Sequence, residues 1–409
     1  MARQLYGGND YRRALNIEEL RAIARRRVPH FAFEYVDGGA EDELTLRWNR
    51  AVFDTMRLVP ATLVDTTGRH QRISLFGKES ASPLIVAPTG LNGMLRHRAD
   101  VALARAAAAA GIPFTQSTVS NVRLEEVAAE AGGRLWLQLY VVDHMDMVGR
   151  LIERADKAGC EALVFTTDAN VFGHREWDRR SYYAPGKLTL SSKLEILRHP
   201  RWLFDVALPH GIPRFENIIE YLPPEAQSAG AGVTVIPKLF RPSITWDDVA
   251  RLRDKWPRKL IVKGVLSAAD AERAAVLGVD GVVLSNHGGR QLETCVSAME
   301  VLPEIARALG DRLTIIVDGG FRRGTDVVKA MALGAHAVMI GRPVLYGVAA
   351  GGEAGASHAL KLLGSEIDRV LGQLGCRSWK DVGPHLLAAD HQGPYRLLAP
   401  HSSTSLRQL

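Results

Sequence analysis

Apolar residues in this chain fall into short unbroken runs, each closed by glycine or polar residues. They are "PLIVAPTG" (83–90), "GIPFTQS" (111–117), "LWLQLY" (135–140), "ALVFTTD" (162–168), "KLIVKG" (259–264), "GVVLSNHGG" (281–289), "LTIIVDGG" (313–320) and "AVMIGRP" (337–343). Runs of this length, rich in β-branched residues and without alternation, suit strands covered on both faces. Between them lie amphipathic segments rich in Ala, Glu and Arg, such as "DVALARAAAAA", "RLEEVAAEA", "MVGRLIERADKAG", "AADAERAAVLG" and "GTDVVKAMALG". Buried strands alternating with helices eight times predict an α/β fold, a parallel (β/α)8 TIM barrel.

The rhythm breaks once. The interval from Asp168 to Lys263 is about three times the normal repeat, which predicts a long insertion, roughly 177–240, after the fourth strand. Residues 1–80 read as an N-terminal helical extension of one or two helices ("NIEELRAIARRRV", "AEDELTLRWNRAVF"). Residues 81–385 form the barrel, and 386–409 a tail with little periodicity, expected to be loosely ordered.

Composition narrows the function classes. A chain of 409 residues with 46% hydrophobic and 23% charged content supports an ample globular core. Net charge is +6, which suits an anionic substrate, a phosphate-bearing cofactor or an acidic membrane surface. No Lys/Arg block interleaves with aromatics, so a nucleic-acid partner is not expected. Cys160, Cys295 and Cys376 lie too far apart for a disulfide framework or a CxxC site, and a reducing, cytoplasmic compartment is expected. No signal pattern opens the sequence, and "VALARAAAAAGIP" is too short to span a bilayer, so no integral membrane protein is expected.

Polar residues gather where the strands end: Thr89, Ser117, Gln138, Tyr140, Asp168, Lys263, His287, Asp318 and Arg342. Any one of them reads equally well as a turn residue or cap. A contribution from every strand to the same rim points to an active site, which barrels of this type carry on that face. "VDGGFRRG" and "IGRP" combine glycines with Arg322 and Arg342, as an anion or phosphate site after strands seven and eight requires; glycine turns with solvated arginines are the alternative. Lys263 suits charge stabilisation on a flavin nitrogen or a Schiff base. His287 and Arg290 in "SNHGGRQLE" pair a proton acceptor with a carboxylate fork, and Asp168 suits an orienting partner for the imidazole. No metal-ligand spacing is present, and no GxGxxG opens a helix in an early βαβ unit.

With these residues in place, the chain from about Tyr11 to Leu387 resembles the FMN-dependent α-hydroxy acid oxidase/dehydrogenase family. "GAEDELT", "APTG", "QLYV", "TTD…GHRE", "VKG", "SNHGGRQL", "DGGFRRG" and "GRPVLYG" fall in that family's order. The resemblance implies that His287 is the active-site base and Asp168 its partner. It implies that Arg290 and Arg175 hold the substrate carboxylate, while Tyr35 and Tyr140 hydrogen-bond the carboxylate and hydroxyl. FMN is expected against Pro88, Thr89 and Gly90, with polar contacts from Ser117, Gln138 and Thr166. Lys263 is expected at its pyrimidine end, Ser285 near the ring, and its phosphate at Asp318, Gly319, Gly320, Arg322, Gly341 and Arg342. Glu293 departs from the family's usual Asp.

Within the family the likeness is nearest to the members that oxidise mandelate, through "PTGLNG", "AGIPFTQSTVSN", "HPRW", "VLSAADAER" and "SAMEVLPE". Gly90 stands where short-chain oxidases tend to have Ala, and Val119 where glycolate oxidase has Trp. Both enlarge the pocket over the flavin, as a phenyl group needs. The expected reaction is (S)-mandelate to phenylglyoxylate with electrons passed to a membrane quinone. The alternatives are an O2-using oxidase of the 4-hydroxymandelate type, an L-lactate dehydrogenase and, more remotely, a non-redox FMN isomerase, whose diphosphate substrate has no need of a carboxylate clamp. In the insertion, "RRSYYAPGKLTLSSKLEILRHPRWLFDVALPHGIPRF" alternates cations with aromatic and leucine side chains, which suits a lid or a monotopic membrane segment. The resemblance favours peripheral contact with an anionic surface, the cytoplasmic face of the inner membrane, and a homotetramer.

Overall fold

The computed structural model of the chain describes residues 5–140, 145–184, 187–224, 227, 239 and 241–388. The expected tail from residue 389 onward, and most of 225–240 in the insertion, lie outside the described residues. All eight predicted runs are strands: β1 Leu84–Val86, β2 Phe114–Gln116, β3 Leu135–Leu139, β4 Ala162–Thr166, β5 Lys259–Val265, β6 Gly281–Leu284, β7 Thr314–Val317 and β8 Ala337–Ile340. They pair in parallel and in sequence order, and β8 closes onto β1. The insertion after β4 leaves the β4–β5 pairing unbroken, from Ala162 opposite Lys259 to Thr166 opposite Lys263. Thr166, the last residue of β4, and Lys263 in β5 therefore sit side by side.

Side chains alternate between two cores. Those pointing inward (Ile85, Trp136, Ala162, Val164, Ile261, Val283, Ile316, Ala337 and Met339) fill the barrel. Its lower end is closed by an antiparallel hairpin, Ile73–Leu75 with Lys78–Ser80. Phe76 and Gly77 at the tip both have positive φ (54° and 79°), as the tight two-residue turn matched to strand twist demands. Leu75 is buried in the barrel core, and the Phe76 ring meets Trp136 edge-on at 5.7 Å. The outward-pointing residues pack under the helices in a second core.

The surrounding helices are α1 Ile17–Arg27, α2 His30–Asp37, α3 Leu44–Asp54, α4 Ala99–Ala109, α5 Leu124–Ala131, α6 Met145–Lys157, α7 Trp246–Lys255, α8 Ala268–Val276, α9 Ala298–Leu309, α10 Gly324–Ala332 and α11 Arg342–Gln373. The N-terminal region thus holds three long helices where one or two were expected. Pro29 ends α1 and opens α2, because a proline disfavours helical geometry in the residue before it. α3 starts at Leu44 rather than near Ala40, since Glu41 and Glu43 sit in the left-handed region (φ 45° and 61°). Its first turn is completed from elsewhere: Glu293 Oε1 accepts from Leu44 N at 2.7 Å. The family departure at Glu293 is therefore a carboxylate on a helix N-terminus, where negative charge is favourable.

The described part of the insertion has structure of its own. A hairpin (Tyr182–Ala184 with Lys187–Leu188) leads into helical segments Leu190–Ile196, Pro200–Trp202 and Leu208–His210. It docks on the extension and on the β1 loop. Trp202 donates to Met94 O at 2.6 Å and packs against Phe31, while His30 N donates to Glu195 at 3.1 Å.

If the hairpin closes the barrel core, Leu75→Ala costs about 2–5 kcal/mol in a denaturant titration, the range for a buried leucine truncated without collapse. A loss below about 1 kcal/mol would show that the barrel core is sealed without it.

Candidate active site

Beyond β6 the chain turns through three consecutive left-handed residues, His287 (φ 58°), Gly288 (66°) and Gly289 (75°). Such a conformation costs a histidine about 1–3 kcal/mol and persists where the surroundings over-determine it. Here Ser285 Oγ accepts from His287 N at 3.0 Å, and Asn286 Oδ1 accepts from Gly289 N at 3.1 Å. Asn286 also exchanges two side-chain hydrogen bonds with Asn49 on α3, at 2.8 and 2.9 Å. Only glycine fits at 289, because a Cβ there would lie 2.6 Å from Leu46 N. The coil delivers His287 and Arg290 to one rim.

His287 Nδ1 lies 2.8 Å from Asp168 Oδ1 at the end of β4. A carboxylate only accepts, so Nδ1 carries the proton and Nε2 is left as the basic nitrogen. Burial pushes the imidazole below its ordinary value; Asp168 opposes this, and Lys263 and Arg175 add to it. For Asp168, burial acts to raise the carboxyl, but His287 and Lys263 outweigh it and hold it below the usual range. The result is a neutral imidazole oriented by an ionised carboxylate. Gly264 makes room for it, since a Cβ there would lie 2.8 Å from Asp168 Cβ.

Lys263, almost fully buried, donates to Ser285 Oγ at 2.8 Å and pairs with Asp318 Oδ2 at 3.1 Å. Burial acts against its charge, yet Asp318 and Asp168 hold it above the ordinary lysine value. It is a buried cation held between Ser285 and Asp318. Around it, Gln138 Nε2, Thr166 Oγ1 and Asp318 Oδ1 are buried with no hydrogen-bond partner among the described residues. Gln138 is oriented by Ser117 Oγ and Thr118 N, each 3.2 Å from its Oε1. Unsatisfied donors and acceptors at neighbouring strand ends, beside a permanent cation, fit the edge of a heterocycle with carbonyls and ring nitrogens. The expected flavin fits this set. Pro88, Thr89 and Gly90 follow β1 and are half-buried.

At the predicted phosphate site, Asp318, Gly319, Gly320 and the buried Arg322 follow β7, and Gly341 and Arg342 follow β8. Arg322 donates to Phe321 O at 2.9 Å. Arg342 makes contacts that sequence reasoning did not anticipate. Its Nε, Nη1 and Nη2 donate to Val36 O, Gly288 O and Gly38 O at 2.8–2.9 Å. Among the described residues, two of its five N–H groups have no such partner and can face an anion.

Arg290 donates to Gly38 O at 3.0 Å and lies over the Tyr35 ring at 5.2 Å. Burial, with Arg175 and Arg342 nearby, pushes it down to about 9, still cationic at neutral pH. Arg175 Nε approaches Arg290 O at 3.4 Å. Tyr140 is raised by burial and then by Asp168 and Tyr35, so its phenol stays protonated. Gly90 and Val119 share one wall, where a Cβ on Gly90 would lie 2.6 Å from Val119 Cγ2. Asp178 was missed from sequence; burial raises its carboxyl against the pull of Arg290 and Arg175. Asn49 and Gln291 were also missed. Asn49 meets Asn286 across 237 residues, a pairing with no local signal.

The FMN-dependent dehydrogenase family model matches residues 24–389. The chain is 42% identical to (S)-mandelate dehydrogenase of Pseudomonas putida over 373 residues, covering 91% of this chain and 93% of that one. It is 37% identical to the L-lactate oxidase of a Nostoc species over 384 residues, covering 91% and 98%. Among solved structures, the monotopic membrane protein (S)-mandelate dehydrogenase superposes with a TM-score of 0.88 at 42% identity, covering 92% of this chain and 99% of that one.

The His287 environment has a consequence for stability. A histidine whose folded value is depressed takes up its proton first in the unfolded chain. Stability therefore falls as pH drops below the ordinary histidine value of about 6.5. Denaturant titrations between about pH 6.5 and 5 should show a steeper loss for the parent than for His287→Gln. Parallel slopes would mean that the folded imidazole titrates normally.

Proposed function

The chain belongs to the FMN-dependent dehydrogenase family, and on that premise we propose that it oxidises (S)-mandelate to phenylglyoxylate and delivers the electrons to a membrane quinone. The observation that carries the reading is the His287–Asp168 pair beside Arg290 and Arg175, an oriented neutral base next to half-buried guanidinium charge that calls for an anion. FMN, when bound, supplies the acceptor for the two electrons that leave the substrate carbon. Gln138, Thr166 and Lys263 would hold its ring, with Pro88 to Gly90 and Ser117 against it and Ser285 keeping Lys263 in place. Asp318 to Arg322, Gly341 and Arg342 would hold its phosphate end.

The remaining chemistry belongs to the protein. Arg290 and Arg175 bind the carboxylate in two-point fashion and so fix which face of the α-carbon is presented. His287 Nε2 takes a proton from the substrate, and Asp168 stabilises the resulting imidazolium. Tyr35 and Tyr140 donate hydrogen bonds to the carboxylate and hydroxyl, and burial keeps the Tyr140 phenol protonated for the task. The small Gly90–Val119 wall supports an aromatic substituent over a methyl group.

The insertion supports the choice of acceptor. Leu190, Leu194, Leu197, Phe204, Leu208 and Ile212 are each more than half exposed, and Lys187, Lys193, Arg198 and Arg201 are exposed among them. Apolar side chains mixed with cations suit the headgroup boundary of an anionic bilayer. Among the described residues no helix is long and apolar enough to cross a membrane, so the association proposed is peripheral. The family resemblance further supports a homotetramer.

Anaerobic mixing of the holoprotein with (S)-mandelate, L-lactate, glycolate and 2-hydroxyoctanoate in turn tests the substrate. (S)-Mandelate should bleach the flavin fastest, and His287→Gln should keep FMN yet lose more than about 99% of that rate, as loss of a general base implies. Faster bleaching by lactate or glycolate would overturn the aromatic assignment. Rapid reoxidation on admitting air would make the enzyme an oxidase.

Exchange of residues 177–215 for a short loop tests the membrane reading. The parent should pellet with vesicles containing anionic lipid and the exchanged protein should remain in the supernatant. Equal partitioning of both would sink the reading.

A further inference from the structure

Gln291 follows the clamp residue Arg290 and is buried, with 8% of its surface exposed. Its amide joins two loops that carry opposite halves of the site. Oε1 accepts from Gly173 N at 3.0 Å, while Nε2 donates to Asp168 O at 2.7 Å and Val171 O at 3.3 Å. Up to Thr167 the chain is still tied to the sheet, since Thr167 N donates to Lys263 O at 2.9 Å. From Asp168 to Gly173 the turn is held at three backbone points by this one side chain. The seating is close: a Cβ on Gly173 would lie 2.4 Å from Arg290 O and 2.6 Å from Gln291 O. Two residues further on, Arg175 reaches back to Arg290 O.

We propose that Gln291 is the positioning residue that sets the distance between the His287–Asp168 proton acceptor and the Arg290–Arg175 carboxylate clamp. The oxidation proposed above, on which this inference rests, needs both to address one small molecule at once. A planar amide is the group for the task, because Gly173 N requires an acceptor and the two carbonyls require donors. A carboxylate at this position keeps the acceptor and loses both donors. A leucine leaves all three buried backbone groups without their partner, and the turn must relax to satisfy them.

The two effects separate in kinetics. Asp168 acts on the proton transfer and Arg175 on substrate binding, so loosening the turn slows flavin reduction and also raises the half-saturating substrate concentration. It also removes part of the support that Asp168 gives to a protonated His287, which moves the acid limb of the rate profile to lower pH.

The test is a double-mutant cycle on the holoenzyme, with Gln291→Leu and Gln291→Glu each placed in the parent and in Asp168→Asn. Anaerobic flavin reduction is followed against substrate concentration and pH, using whichever 2-hydroxy acid bleaches the parent. In the parent background the limiting rate should fall about tenfold to a hundredfold, as a displacement on the order of 1 Å implies. In the Asp168→Asn background the rate loss should shrink to under about threefold while the rise in half-saturation persists, since coupled residues are not additive. FMN content and melting temperature report folding, and if the leucine variant does not fold the isosteric Gln291→Glu carries the cycle alone. Rates within about twofold of the parent, or an equal fold loss in both backgrounds, would overturn the role. A parent that no 2-hydroxy acid bleaches would instead overturn the functional reading, before any variant is made.

Discussion

A parallel strand cannot find its hydrogen-bond partner in an adjacent hairpin, and each must wait for a segment supplied across a helix. In this chain the longest wait is from β4 to β5, separated by the whole insertion, and the two still pair in full register from Ala162–Lys259 to Thr166–Lys263. Closure of β8 onto β1 then leaves the barrel without an edge. Everything at the site depends on that closure. It sets Thr166 beside Lys263, Asp168 opposite His287 and Asp318 within reach of Lys263, although these residues lie on or just beyond four different strands.

The site that results is electrostatically unequal. Lys263 has its carboxylate in Asp318 and His287 has its own in Asp168. Arg290 has no ion pair at contact distance among the described residues, only the more distant pull of Asp178, and donates to the Gly38 carbonyl while Arg175 and Arg342 add like charge. Concentrated buried charge of one sign destabilises the protein alone and favours an anionic ligand, the compromise expected where function outranks stability. Lys263 and His287, each on its own carboxylate, hold the site together, and the arginines leave it receptive to an anion.

The N-terminal extension forms part of this arrangement. Gly38 O receives Arg290 and Arg342, Ala40 N donates to Gly289 O, and Asn49 locks to Asn286. In return the β6 loop caps α3 through Glu293. The left-handed coil at His287 is thus held from the outside by α2 and α3 as well as from below by Ser285. A strained turn this well supported keeps His287 and Arg290 in place without relying on the barrel alone.

Much of this was legible in the sequence. Eight apolar runs with polar ends are a direct imprint of strands buried on both faces, and the residue at each run's end must lie on the rim. The placing of His287, Asp168 and Lys263 on the rim followed from that rule, and Arg290 from its position three residues beyond His287. Other features depended on tertiary contact. The late start of α3 follows from two left-handed glutamates and from Glu293, 249 residues away. The three carbonyls on Arg342, the three backbone points on Gln291 and the half-buried acid at Asp178 are equally silent in the linear text. Periodicity records which side of an element meets the core, because burial acts on each residue separately. It carries no record of which polar atom meets which, since a hydrogen bond requires two groups brought to about 3 Å, and only the closed barrel brings them there.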